Sequence, residues 1–131
     1  MRNEAGFTLM EVSIAMAVVV LALLGFIGAN LAIEQTNEAA FQRTVAIQDA
    51  NQVIELMRNT AAAGNFPSNV TGVYSNGGAV AGFTNLTNET VTVNYANANA
   101  NPLDVTVTVR WLQNGIRQVN TALRTLITQR S

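Results

Sequence analysis

The chain has 131 residues, a net charge of −1 and no His, Cys or Lys, so its seven bases are all arginine. This excludes a basic field for nucleic acid, every disulfide and thiol nucleophile, the commonest general base and the commonest metal ligand. Charged residues make up 11% of the chain, against roughly 25% in typical soluble proteins, and the deficit falls partly in an apolar N-terminal run and partly in a second half rich in Asn, Thr, Ala, Gly and Val.

The first element is a short polar leader, MRNEAG, followed by FTLMEVSIAMAVVVLALLGF. From Val12 to Ile33 there is no charged residue, and only Ser13 and Asn30 are polar. As a helix rising 1.5 Å per residue this segment spans about 33 Å, enough for a hydrocarbon core of roughly 30 Å. A removed secretory signal fits poorly, because its apolar region runs to only about 7–15 residues before a small-residue cleavage site. A plain anchor leaves Glu11 unexplained, since a carboxylate in hydrocarbon costs on the order of 2.5–3.5 kcal/mol.

These residues resemble the prepilin signal of type IV pilins and type II secretion pseudopilins. Gly6 closes the leader, Phe7, Thr8 and Leu9 follow, Glu11 stands four residues after Phe7, and an uninterrupted apolar helix comes next. The leader departs from the usual pattern in that Glu4 offsets Arg2 and Ala5 stands where a base is common. The resemblance implies cleavage after Gly6 by prepilin peptidase and N-methylation of the new Phe7 amine. It also gives Glu11 a partner: in a filament of packed helices, the Phe7 amine of one subunit meets the Glu11 carboxylate of a neighbour. Two buried charges that are each costly alone then offset one another and fix register. The implied partners are prepilin peptidase, other pilin subunits and the inner membrane. The implied location is a single-pass inner-membrane protein with a periplasmic C-terminal domain, and later a pilus or pseudopilus filament.

The helical pattern continues without Pro as far as Phe66. Apolar residues recur at Ala40, Ile47, Ile54 and Ala61, and at Ala46, Ala50, Val53 and Met57, which is helical spacing on one broad face. Glu38, Arg43, Gln48, Asp49, Gln52, Glu55 and Arg58 supply the polar remainder, and Gly64 and Pro67 stop the helix. One continuous helix from near Phe7 to Ala62 is expected, its second half packed on a small sheet. The alternative is a break near Gly25–Asn30, where Gly25 and Gly28 each weaken a helix by up to about 1 kcal/mol. Glu55, Met57, Arg58 and Asn59 also resemble the end of the corresponding helix in PilV-like minor pilins.

Residues 63 to 88 are rich in Gly, Asn, Ser and Thr and read as a long loop anchored by Phe66, Val73, Tyr74 and Phe83. Gly77–Gly78 lacks any Lys, so it is no phosphate loop. Asn69, Asn85 and Asn88 open Asn-x-Ser/Thr triplets, read here as composition rather than glycosylation. Three strands follow. Val91, Val93 and Tyr95 alternate with Thr90, Thr92 and Asn94; Leu103, Val105, Val107, Val109 and Trp111 alternate with Asp104, Thr106, Thr108 and Arg110; Val119, Thr121, Leu123, Thr125 and Ile127 share a third face. Asn114–Gly115 marks the last hairpin turn. A loop from Gln113 to Gly115 pairs Val109 with Val119 and Val105 with Leu123, keeping the apolar faces in phase. This ending is also similar to the C-terminal hairpin of PilV-like minor pilins.

The expected fold class is α+β: a long N-terminal helix, membrane-spanning then amphipathic, packed on a small antiparallel sheet. The divisions are a leader at 1–6, a transmembrane and assembly helix at 7–33, its amphipathic continuation at 34–62, and a loop region plus sheet at 63–131. The expected function is that of a minor type IV pilin, with a minor type II secretion pseudopilin or a membrane protein displaying a small β binding domain as alternatives. An enzyme is the weakest reading, since without His or Cys no nucleophile–base–acid set assembles, and Glu89 and Asp104 read as isolated and solvent-facing. No cofactor, metal, nucleic acid or small-molecule substrate is expected.

Overall fold

The structure, a computed structural model, describes residues 8–129. Its elements run α1 (Leu9–Ala62), α2 (Ser68–Val73), β1 (Ala79–Val80), β2 (Thr90–Tyr95), β3 (Leu103–Gln113) and β4 (Arg117–Ile127). The architecture is α+β, a long helix packed on a four-stranded antiparallel sheet of order β1-β2-β3-β4. The chain divides into two compact units, Met1–Asn37 and Glu38–Ser131.

In the first unit the helix is apolar on every side and its side chains are exposed from Leu9 to Ile33. No break occurs at Gly25–Asn30, as no Pro removes an amide there. This helix is long and apolar enough to cross a membrane, by length and composition. Its hydroxyl groups are satisfied within the helix: Ser13 Oγ donates to the Leu9 carbonyl at 2.9 Å and Thr36 Oγ1 to the Ala32 carbonyl at 2.9 Å. Such back-bonding removes the penalty of an unpartnered hydroxyl in an apolar medium.

In the second unit α1 buries Ala46, Ala50, Val53, Ile54, Met57 and Ala61. Against them lie Val91, Val93 and Tyr95 from β2, all five alternate residues Leu103 to Trp111 from β3, and Ile127 from β4. Full burial of one such aliphatic side chain stabilises by about 1.5–3 kcal/mol, and small residues at Ala46, Ala50 and Ala61 let the helix lie close to the sheet. Ala40, expected on this face, is instead exposed, and Ile47 is half-buried. The apolar stripe is narrower than the sequence period suggests, because the buried line comprises Ala46, Ala50, Val53, Ile54, Met57 and Ala61. Glu55 and Arg58 form an exposed ion pair at 2.6 Å, of a kind worth a few tenths of a kcal/mol.

The segment expected to be a structureless loop holds α2 and β1. Val70, rather than Val73, is its buried anchor; Val73 is 67% exposed. Gly64 (φ +97°) and Asn65 (φ +56°) break the helical path after α1 and separate it from α2. Asn69 Nδ2 donates to the Thr60 carbonyl at 2.5 Å, satisfying one of the orphan acceptors at the end of α1. Gly78 then lets the chain close onto the edge of β2. A Cβ there would lie 2.2 Å from Ser75 Oγ and 3.0 Å from the Ser75 carbonyl.

The last hairpin differs in register from the expectation. Trp111 pairs with Val119, Val109 with Thr121, Val107 with Leu123 and Val105 with Thr125. The loop is three residues long but comprises Asn114, Gly115 and Ile116. Asn114 (φ +53°) and Gly115 (φ +69°) both adopt the positive φ that a type I′ turn needs at its two central positions, and Ile116 N–H donates back to the Gln113 carbonyl at 3.1 Å. The pairing thus moves by two residues. A shift of two preserves the side-chain period, so Val119, Thr121, Leu123, Thr125 and Ile127 still share the face turned toward the core.

Candidate functional site

The chemistry that the sequence singles out lies at the N-terminal end of α1. Gly6 and Phe7 lie outside the described residues. Thr8 and Glu11 are described, and they form a reciprocal cap. Thr8 N–H and Thr8 Oγ1 both donate to Glu11 Oε2, at 2.9 and 3.0 Å, and Glu11 N–H donates to Thr8 Oγ1 at 3.3 Å. This is a capping box, Thr-x-x-Glu, which satisfies helix N–H groups that have no intrahelical acceptor. The role expected of Glu11 from the sequence was assembly alone, although Thr8 and Glu11 three apart before an apolar run are a readable signature of this cap.

The cap has two consequences for chemistry. It draws the Glu11 carboxylate back toward the start of the helix, where the backbone dipole is positive and an anion is favoured by about 0.3–1 kcal/mol. It also leaves the carboxylate with acceptor capacity, since two oxygens offer about four lone-pair sites and Thr8 occupies part of one oxygen's share. The arrangement therefore suits a cation arriving at the helix end. Around it, Leu9, Met10, Val12, Ile14 and Met16 are exposed apolar side chains. Gly25 and Gly28, further along, have open space where a Cβ would stand, the surface that close helix approach requires.

Three other carboxylates correct the sequence reading. Asp104 is paired: Arg124 Nε donates to its Oδ1 at 2.8 Å, and the guanidinium's second arm reaches Oδ2. The Arg124 hydrogen bonds hold this carboxyl below its ordinary range, so the pair forms above the ordinary carboxylate pKa and is lost as pH falls through the lowered one. Glu89 is not solvent-facing but half-buried, and Asp49, read as part of the polar face, is only 4% exposed. Burial, with the like charge of Asp49 nearby, pushes the Glu89 carboxyl up, against the lowering effect of the Leu86 N–H. Sequence period misplaced Asp49 because it lies beside the 46/50/53 line, and nothing local to Glu89 reveals a partner 40 residues upstream. Elsewhere Tyr95 O–H donates to the Tyr74 carbonyl at 2.7 Å, and burial, with Tyr74 nearby, pushes that phenol up to about 12.

Among the described residues no group of three or more metal-ligating side chains comes together. Asn114 and Gly115 lie in the β3–β4 turn, far in sequence from this chemistry, and serve the hairpin.

Comparison with known families matches residues 1–27 to the prokaryotic N-terminal methylation motif. That match supports a type IV pilin-like or pseudopilin-like precursor, and it implies processing by a prepilin peptidase and assembly with other pilins. The apolar helix and the motif together suit membrane anchoring. No curated protein and no solved structure matches the chain.

Proposed function

We propose that this chain is a minor type IV pilin: a non-enzymatic subunit inserted in the inner membrane, with its C-terminal unit in the periplasm, that joins or primes a pilus filament. Glu11 carries this reading. It is a carboxylate on the first turn of an apolar helix, inside the matched motif, held by Thr8 at the end from which the leader departs. A chain without His, Cys or Lys offers little to a catalytic alternative.

The steps follow from the site. Cleavage after Gly6 frees the Phe7 amine, one residue before the Thr8 cap. That amine is a positive charge at the positive pole of a helix, unfavourable by itself. Methylation of the amine retains the charge. Within a bundle of apolar helices, the Glu11 carboxylate of a neighbouring subunit meets it and offsets both desolvation costs. The geometry of that pair fixes the axial rise of one subunit over the next.

The test combines the mature N-terminus with one substitution. Mass analysis of the protein from cells should find the chain starting at methylated Phe7; an intact Met1 leader on the mature protein would overturn the reading. Glu11→Ala should insert in the membrane at parental levels, because removing the acid lowers the cost of insertion. Its share in sheared surface filaments should drop roughly tenfold or more, since each neighbour's amine is left unpaired in the bundle. An unchanged ratio of filament to membrane protein, together with unchanged filament number per cell, would count against the register role.

A further inference from the structure

One buried cluster takes no part in the reading above. Asp49 projects from α1 into the interface with the segment that precedes β2. Asn85 Nδ2 donates to Asp49 Oδ1 at 2.9 Å, and Leu86 N–H donates to Glu89 Oε2 at 3.1 Å. The remaining oxygens, Asp49 Oδ2 and Glu89 Oε1, are buried without a donor. The two carboxylates are thus held by adjacent residues of one segment, Asp49 by Asn85 and Glu89 by Leu86. Two ionised carboxylates in that position would repel one another and leave two buried acceptors unsatisfied, each at the cost of its lost hydration.

A single proton removes both difficulties, because a protonated carboxyl is a donor as well as an acceptor. We propose that Asp49 and Glu89 share one proton, and that this proton fastens the segment Phe83–Glu89 over the face of α1 as a latch that loosens when the proton is lost.

The surroundings support a proton rather than a base as the bridging group. From α1 the titratable group facing Glu89 is Asp49. From the segment itself the partners are the Asn85 amide and the Leu86 N–H. On β3, Arg110 stands opposite Thr90, next in the chain to Glu89, but it is exposed and makes no salt bridge with either acid. The ion pairs among the described residues are Glu55–Arg58 and Asp104–Arg124. The latch has a load to hold: Phe83 and Leu86 are half-buried against the core, and Leu112 N–H of β3 donates to the Thr87 carbonyl at 2.9 Å.

The sign follows from the direction in which Glu89 is moved. Its proton is bound more tightly in the folded chain than in the unfolded one. The stabilisation is therefore complete below the ordinary carboxylate range and is lost as pH rises through the raised value. No His is present to titrate in the same window.

The experiment uses the full chain in detergent, with Trp111, the only Trp, as the fluorescent reporter of melting. Between about pH 5 and about pH 8 the parent's melting temperature should fall by several degrees, as the proton that the fold holds is lost. Glu89→Gln and Asp49→Asn each replace the shared proton by an amide donor, so each should melt at nearly the same temperature at both pH values. Amide exchange at Leu112, corrected for intrinsic rate, should accelerate at the higher pH in the parent more than exchange at Val107 does. A parental slope in Glu89→Gln would overturn the proposal. So would unfolding of both neutral variants at about pH 5. Recovery of the parent's high-pH melting temperature by millimolar calcium, absent in Glu89→Gln, would also overturn it, since a cation and not a proton would then bridge the pair. The latch does not depend on the filament reading.

Discussion

Trp111→Ala should lower the unfolding free energy of the second unit by about 3–5 kcal/mol, the usual cost of deleting a buried Trp. Trp111 ends the buried line of β3 and is only 4% exposed. Its ring Nε1–H donates to Gln42 Oε1 at 3.2 Å, joining β3 to a helical residue 69 positions earlier. The substitution opens a cavity in the core cluster to which Ala46 and Val109 also belong and leaves the Gln42 amide with one partner fewer. Total stabilities of small domains are about 5–15 kcal/mol, so the loss is a large share of the whole. The measurement is amide exchange along β3 and β2 of the full chain in detergent, where the fluorescence signal has been removed with the residue. Protection at Val105 and Val107 should collapse by roughly two to four orders of magnitude. Protection within tenfold of the parent would mean that Trp111 is a surface contact and not a core residue.

Gly6→Asp should leave the leader attached to essentially every molecule. The motif match covers the junction, and the implied peptidase must bring that peptide bond into its site. Glycine offers backbone freedom and no side chain there, whereas aspartate adds bulk, charge and a restricted backbone. The chain should still enter the membrane, because the apolar helix is unchanged. Uncut chains carry six extra residues before Phe7, including Arg2 and Glu4. No amine then exists at Phe7 to meet Glu11 of a neighbour, so assembly should fail with processing. Gel mobility and the N-terminal mass decide it: normal leader loss in Gly6→Asp would remove the basis for the functional reading.

How far the fold was readable from residues depends on the range of the interaction concerned. The strands were legible because Val and Thr alternate along Thr90–Tyr95 and Leu103–Gln113, and each alternation is enforced by one buried and one open face. The break after α1 was legible because Gly64 and Pro67 act on their own backbone. The β3–β4 register was missed by two residues because the faces alone cannot distinguish pairings that differ by two; the choice lay in the φ angles of Asn114 and Gly115. β1 and α2 were missed because neither has a period of its own. β1 exists as an edge laid on β2, and α2 is held by Val70 and Asn69 reaching into and behind α1. At the site, the Thr8–Glu11 cap was within reach of local reasoning. The Asp49–Glu89 and Gln42–Trp111 pairs were not, because each joins residues far apart in sequence.

The sheet order also sets the sequence of events by which the unit forms. Every strand pairs with its neighbour in the chain, so no pairing waits on a distant segment. The entropy cost of closing a loop rises with the logarithm of its length, and the three residues between Gln113 and Arg117 make β3 and β4 the least costly pair to bring together. Hairpins of this kind close in about 1–10 μs. β2 meets β3 across residues 96–102, a longer but still short closure. Short closures alone therefore bring every strand to its partner, and the long-range step left to the unit is the meeting of that sheet with the helix line Ala46–Ala61.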